Sequence, residues 1–472
     1  MEATRSARGV PGGHVEAFLP PTFWYMGAKA RLLPVLGPLF EREAPSGGTI
    51  LDLMSGTGIV AAHCARKFRI FANDASDAAW IAARSFIEHD PRRKTAFARA
   101  VDGMQELSGS CARNLEALAA AYEAPLSREK DLLDRFERDG PGEGWSREYR
   151  EFLEERGSLY GEAGESDLFS GSANLISEDA IGARMQDAAL RPACLVTAYW
   201  GNVYFGLRQS IEIDSIRAAI QEVTGGPAEE ARRAHYLSAL LHAASISTSG
   251  TSHFAQPRHL TKPSELAAMA ARRSRSVLET FSEMARRILL AVLSTRHRAG
   301  NRAFLGDWTA LGDERRGFDL PSSPDLVYFD PPYTADNYSR FYHVLDVIAR
   351  YDYPPLERDA AGRPVRGRYP AIAKRFQSGF TRTGGVEGEF RRVIAASAAS
   401  GARLVISYAS PTGLLLKGYA KRGAADPVRE LERLCLERYQ EVSTERHRMV
   451  HSGQGDSNIP VEELVVLCRR PR

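Results

Sequence analysis

Thr49-Ile50-Leu51-Asp52-Leu53-Met54-Ser55-Gly56-Thr57-Gly58 begins as an apolar run and ends on two closely spaced glycines. Residues 49–54 read as a buried strand, the glycines as a tight turn, and residues 59–67 as a helix. Arg69-Ile70-Phe71-Ala72-Asn73-Asp74 is a second short apolar strand that ends in an acid, and residues 78–88 form another helix. Strand, helix, strand, helix in this order is the signature of a wound parallel sheet. The sheet resumes far downstream, with strands expected at 325–329 and 404–408 and helices at 339–351 and 427–439. Residues 441–450 and 461–468 pair as a closing antiparallel hairpin.

Between these two regions lies a long stretch of different character. Residues 128–187 hold 8 Arg or Lys against 16 Asp or Glu, which reads as a solvated helical insertion with loops. Apolar content returns at 194–224, with a helix expected over 214–223. Residues 264–293 read as one long helix, with apolar positions at helical spacing and Arg272, Arg273, Arg275, Arg286 and Arg287 along it. Long structureless loops are rare in compact domains, so an inserted subdomain is the better reading. The chain divides accordingly into three. An N-terminal segment of the wound sheet covers 18–102, an inserted, mainly helical subdomain covers 103–262, and a C-terminal segment that resumes the sheet covers 263–472.

Composition bounds the function. The chain has 472 residues, 43% of them hydrophobic and 26% charged, enough for a large core and too balanced for global disorder. The net charge of +3 does not by itself announce a nucleic-acid binder. The cations are 54 Arg and 8 Lys. Arginine reads phosphates and base edges with a planar fork, although a GC-rich coding bias yields the same count. The five cysteines form no C-x-x-C pair, which argues against zinc fingers and a disulfide scaffold. No apolar run approaches the roughly 20 residues of a membrane span, and the first residues lack the apolar core of a secretory signal. A protein of the reducing cytoplasm, without a membrane partner or a metal, is expected.

Three motifs carry chemistry. The Ser55-Gly56-Thr57-Gly58 turn lets a ligand lie against bare backbone at a helix N-terminus. With Ala61 it also satisfies the dinucleotide fingerprint G-x-G-x-x-A. Asp74, at the end of the next strand, is placed to accept ribose hydroxyls, a feature that nicotinamide dinucleotides and S-adenosyl-L-methionine share. Asp74 and Ser76 also suit a helix N-cap. Asp330-Pro331-Pro332-Tyr333 follows an apolar strand directly and is the most specific. The exocyclic amine of adenine is a poor nucleophile, because its lone pair is delocalised into the ring. An ionised Asp330 and the Pro331 carbonyl can each accept one amine hydrogen, which frees the lone pair for in-line attack on a sulfonium methyl. Pro331 and Pro332 hold the acceptors in place beforehand, and Tyr333 offers a flat face to the ring. Around it stand Phe23-Trp24-Tyr25-Met26-Gly27-Ala28-Lys29 and Gly306-Asp307-Trp308.

In this order, Tyr25-x-Gly27-x-Lys29, Asp52-Leu53-x-Ser55-Gly56-x-Gly58, Asn73-Asp74, a long insertion, Asp307, Asp330-Pro331-Pro332-Tyr333 and residues 337–343 (Asn-Tyr-Ser-Arg-Phe-Tyr-His) resemble the DNA adenine methylases of the alpha arrangement of amino-methyltransferases. The resemblance spans residues 23 to about 350. It implies a class I methyltransferase, Rossmann-like α/β fold with a mainly helical inserted recognition subdomain. It implies S-adenosyl-L-methionine as cofactor, held by Tyr25, Lys29, Asp52, Ser55, Gly56, Gly58, Asp74 and Asp307, with Trp308 beside them. It assigns Asp330, Pro331, Pro332 and Tyr333 to a flipped adenine in double-stranded DNA. A cognate restriction or phage-defence system is compatible with it. An amino-methyltransferase acting on RNA or cytosine, and an inactive DNA-binding homologue, are the alternatives. Family members commonly carry Phe where Met54 stands. For DNA contact, the basic stretches 256–302 and 363–403 suit phosphates, and residues 253–257 form a candidate wedge or base-reading loop with Gln256 aimed at adenine.

Overall fold

A computed structural model describes residues 23, 29–88, 94–155, 159–162, 166–225, 229–249, 253–257, 262–293, 300–452 and 458–472. Seven strands form the main sheet: β1 (Thr49–Asp52), β2 (Arg69–Asp74), β3 (Arg302–Leu305), β4 (Leu326–Phe329), β5 (Arg403–Ser410), β6 (Tyr439–Ser452) and β7 (Asn458–Pro471). Their spatial order is β3-β2-β1-β4-β5-β7-β6. The first five run parallel, with Leu51 opposite both Phe71 and Val327, and Val327 opposite Leu404. β7 runs antiparallel to β5 and to β6, placing Leu467 opposite Val405. This is the mostly parallel, methyltransferase-like α/β architecture with a C-terminal antiparallel hairpin that the sequence led us to expect.

The strands read as unbroken apolar runs because both faces of the sheet are covered. Ile50, Ile70, Ala72, Leu326, Tyr328 and Val405 point into one core, which they share with α1 (Leu33–Glu43), α2 (Ile59–Cys64) and α3 (Asp77–Ile87). Their neighbours Leu51, Phe71, Val327, Phe329, Leu404 and Ile406 point into the other.

The helical run follows α3. It contains α4 (Lys94–Ala121), α5 (Glu123–Asp139), α6 (Glu143–Glu154), α7 (Leu207–Val223), α8 (Glu230–Ser247), α9 (Pro263–Arg273) and α10 (Val277–Leu293). α8 packs on both α3 and α10, so this run leans on the sheet's own helical layer. Much of the acidic charge of α5 and α6 is paired locally, with Glu148 taking Arg135 at 2.9 Å and Arg128 at 3.0 Å. Beneath it Leu132, Trp145, Tyr149 and Phe152 join Leu266 and Met269 in a small separate core.

Three expectations need correction. The single helix over 264–293 is two helices, because Glu212 caps the second, accepting from the amides of Val277 at 2.6 Å and Leu278 at 3.3 Å. The helix over 339–351 is likewise a short turn at Tyr338–Phe341 followed by α11 (His343–Arg350). The Gly- and Arg-rich stretch 363–403 contains α12 (Val386–Ala399), whose Phe390, Val393 and Ile394 cover the second sheet face together with α13 (Leu414–Lys421) and α14 (Pro427–Leu436). Among the described residues, no helix is long and apolar enough to cross a membrane.

Candidate active site

The strand order reverses between β2 and β4 around β1. In a wound sheet a crevice opens at the carboxyl ends of the strands at that point. β1 ends at Asp52 there, and the chain turns sharply into α2. The amide of Leu53 donates to the Tyr328 carbonyl at 3.0 Å, and that of Ser55 to the Asn73 carbonyl at 2.8 Å, so the turn is bolted to both neighbouring strands. Gly56 and Gly58 have φ of 51° and 72°, in the left-handed region that glycine adopts without penalty. A Cβ on Gly58 would also sit 2.7 Å from the Ala83 Cα, so this glycine lets α2 cross close to α3.

A cavity of about 300 Å³ fills the crevice, and Asp52, Ser55, Gly56, Asp74, Asp307, Trp308, Asp330, Pro331, Pro332, Tyr333 and Lys29 all line it. Gly58 lies outside the lining, and Tyr25 lies outside the described residues. Met54 lines the cavity as an apolar side chain.

Asp52 is 1% exposed, and neither carboxylate oxygen makes a hydrogen bond of normal geometry among the described residues. Burial, then the charges of Asp330 and Asp74, raise its pKa well above the ordinary carboxylate range. The Ser55 hydroxyl is likewise buried with no hydrogen-bond partner among the described residues. Buried polar groups in folded proteins are mostly paired, and both of these residues line the cavity, where a bound group or water has access to them. Asp74 is better served. It accepts from the Gly56 amide at 2.8 Å and the Ser76 amide at 2.9 Å. Burial still pushes its pKa up to about 6, against the pull of those amides. Ser76, not Asp74, caps α3, by accepting from the Ala79 amide at 3.2 Å.

Asp307 caps the short turn Trp308–Ala310, accepting from the amide and the hydroxyl of Thr309 at 3.0 and 2.7 Å. Trp308 is 2% exposed, donates to Glu389 at 3.2 Å and lies under the Arg392 guanidinium. Both are carried into the site by β3, a strand the sequence reading did not include, whose pairing sets Leu305 opposite Asp74.

Across the cavity, β4 ends and Asp330 follows at once. Its Oδ1 lies 2.8 Å from the Lys29 ammonium, which also pairs with Glu463 Oε1 at 3.3 Å. Lys29 and Glu463 are 5% and 1% exposed. Burial alone would lower the Lys29 pKa, but the charges of Asp330 and Glu463 overcome it and raise the net value above that of an ordinary lysine. The ammonium also stands 5.8 Å from the Tyr333 ring centroid. Burial pushes the Tyr333 hydroxyl up to about 12. Lys29 therefore anchors the Asp330 carboxylate through one oxygen at the wall of the cavity.

Glu463 was missed from the sequence. It sits on β7, opposite Ala409 of β5, and its only local signal is an acid heading the apolar run 464–468. The candidate reading loop needs a correction. His253 and Phe254 are 6% and 1% exposed, the Phe254 amide donates to the Phe341 carbonyl at 2.9 Å, and Tyr204 donates to the Phe254 carbonyl at 2.7 Å. Only Gln256 of that loop is exposed. Some of the basic stretch is structural too: Arg273 is 1% exposed and donates to Asn202 at 2.6 Å and Ser249 at 3.1 Å.

A stretch of 151 residues, 31% of the chain, is 28% identical to the modification methylase LlaI of Lactococcus lactis subsp. lactis and covers 21% of that protein's length. No family model and no solved structure matches the chain.

Proposed function

We propose that this chain is an S-adenosyl-L-methionine-dependent methyltransferase that modifies the exocyclic amine of adenine in double-stranded DNA, with the target base turned out of the helix into the cavity. One observation carries the reading: a single cavity joins the Asp330-Pro331-Pro332-Tyr333 corner to the glycine turn at the reversal point of the sheet. The similarity to a modification methylase supports it, as do the ordered motifs of the DNA adenine methylases.

The residues fit the cofactor. Asp52 and Ser55 offer buried polar atoms that lack a normal hydrogen bond among the described residues. Asp74 retains acceptor capacity beside the glycine turn, and Trp308 and Met54 supply apolar wall. When bound, S-adenosyl-L-methionine supplies a methyl group made electrophilic by its sulfonium. The chain contributes positioning and charge. The Asp330 carboxylate and the carbonyl of Pro331 accept the two amine hydrogens. This localises the nitrogen lone pair, as preorganised acceptors require no reorganisation during reaction. The ring lies against Tyr333. With the cofactor bound, these residues would hold the amine in line with the methyl it supplies, the thioether would be the leaving group, and the amine proton would pass along its hydrogen bond to Asp330. Lys29, held by Glu463, keeps the Asp330 carboxylate facing the cavity.

Transfer of tritiated methyl to duplex DNA tests the proposal, with the product base identified after hydrolysis. Asp330→Ala is expected to lower incorporation by about 10²–10³-fold while S-adenosylhomocysteine binding stays within about twofold. Near-normal incorporation by the variant would remove Asp330 from the chemistry. A label found on cytosine would move the reading to the alternative substrate.

A further inference from the structure

We infer that the strap formed by residues 369–376, part of which lines the cavity, is a DNA-reading edge of this site. In it Ile372 and Phe376 form an apolar wedge that enters the base stack as the target leaves it. This rests on the DNA-methyltransferase reading above and adds the surface that would make a paired base available.

The strap shares the cavity with the chemistry: Pro370, Lys374, Arg375 and Phe376 line the same space as Asp330 and Tyr333. Its two large apolar side chains are exposed, Ile372 at 70% and Phe376 at 42%. Leaving them in water forgoes the free energy of burial, which a partner's apolar surface would recover.

The backbone beneath them is held firmly. Tyr369 is 5% exposed and clasped between the guanidiniums of Arg340 and Arg375, 4.7 and 5.6 Å from its ring centroid. Its hydroxyl donates to the Ala255 carbonyl and accepts from Arg340 at 3.2 Å. Its carbonyl accepts from the Glu357 amide at 2.9 Å, and the Ala371 amide donates to the Pro355 carbonyl at 2.8 Å. Arg375 then pairs with Glu357. Between these fastenings a single 3-10 turn, Ile372–Lys374, lifts its side chains outward.

Charge selects the occupant. Lys374 is exposed, lines the cavity and stands between Ile372 and Phe376 in the chain, and Arg382 is exposed six residues further on; of the nine basic side chains in 363–403, Arg368 is buried and Arg363, Arg375, Arg391, Arg392 and Arg403 pair with acids of the chain. Apolar residues flanked by cations match a duplex, whose stacked bases lie between two rows of phosphate. Wedges of Phe and Ile are a recurrent means of unstacking base steps. Extruding a base costs unstacking and unpairing energy that a filled gap recovers in part. The loop 253–257 does not take this role, since His253 and Phe254 are buried and Ala255 serves as a fastening for Tyr369.

The test compares the full-length protein with the Ile372→Ala/Phe376→Ala double variant, once sequencing of methylated DNA has given the target site. Two duplexes are used, one with the target adenine paired and one with an abasic position opposite it. The double variant is expected to lose about tenfold or more in transfer to the paired duplex. It is expected to return to within about twofold of wild type where the target is already unpaired. No loss on the paired duplex would overturn the wedge. An equal loss on both duplexes would do so as well, since it would indicate general damage. Wild-type protein that methylates no DNA would instead sink the activity reading, so the two failures are told apart.

Discussion

Two cavities of similar size among the described residues differ in how far the chain completes their buried charges. The one at the sheet's reversal point, about 300 Å³, contains Asp52 with no properly formed hydrogen bond among the described residues. The other, about 280 Å³, lies between α6, α9 and residues 366–368 and is lined by Arg150, Glu154, Glu162, Arg273 and Arg368 among others. There the buried cations are answered by the chain itself. Arg368 donates to the Tyr160 carbonyl at 2.8 Å and pairs with Glu162 at 3.3 Å, while Arg273 is held by Asn202 and Ser249. Volume therefore does not separate the two cavities. What sets the first apart is Asp52, a buried carboxylate without a properly formed hydrogen bond among the described residues, beside charges that the chain itself completes.

The largest test of this contrast is Arg368→Met. Removing one member of a buried ion pair strands the other, which costs about 3–5 kcal/mol. Urea unfolding is expected to show a loss of that order, with S-adenosylhomocysteine affinity within about twofold of wild type. A parallel loss of affinity would couple the two cavities and break the comparison.

Asp52→Asn is expected to act in two directions at once. Without ligand it relieves a buried carboxylate that lacks a proper partner, so stability should rise by about 1 kcal/mol. With ligand it removes a charged acceptor, so affinity for S-adenosylhomocysteine, measured by calorimetry, should fall by about tenfold. A variant less stable without ligand would mean that the chain already satisfies Asp52.

The smallest effect concerns pH. Asp74 is held near a pKa of about 6 by burial, above its unfolded value, so folding favours its protonated form. Its contribution to stability is therefore greatest at low pH and declines as pH rises from about 4 to about 6. Asp214 and Asp346, also raised to about 6 by burial, act in the same direction. Hydroxyl donors from a ligand favour the carboxylate, so S-adenosylhomocysteine should bind a few-fold more tightly at pH 7.5 than at pH 5. Asp74→Asn should flatten that dependence, and an unchanged slope would assign it to another group.

Chain order alone determined the half of the fold built from neighbours in sequence. β1, the glycine turn, α2, β2 and α3 were legible because apolar runs, glycine and capping residues act over a few residues, and the β6–β7 hairpin was legible for the same reason. The side chains at the Asp330 corner of the cavity were legible too, since Asp330, Pro331, Pro332 and Tyr333 are consecutive. Tertiary structure decided the rest. β3 is only four residues long and its burial pattern is mixed, so nothing local marks it; it is a strand because β2 leaves an edge for it to pair with. α12 hides in an Arg- and Gly-rich stretch, and its apolar face gains meaning only against Phe329 and Tyr408. Lys29 and Glu463 are 434 positions apart in the chain, yet both reach Asp330's corner, because β7 returns antiparallel beside β5. Local chemistry can be written in adjacent residues, but a buried charge and its partner are joined only by the packing that removes both from water.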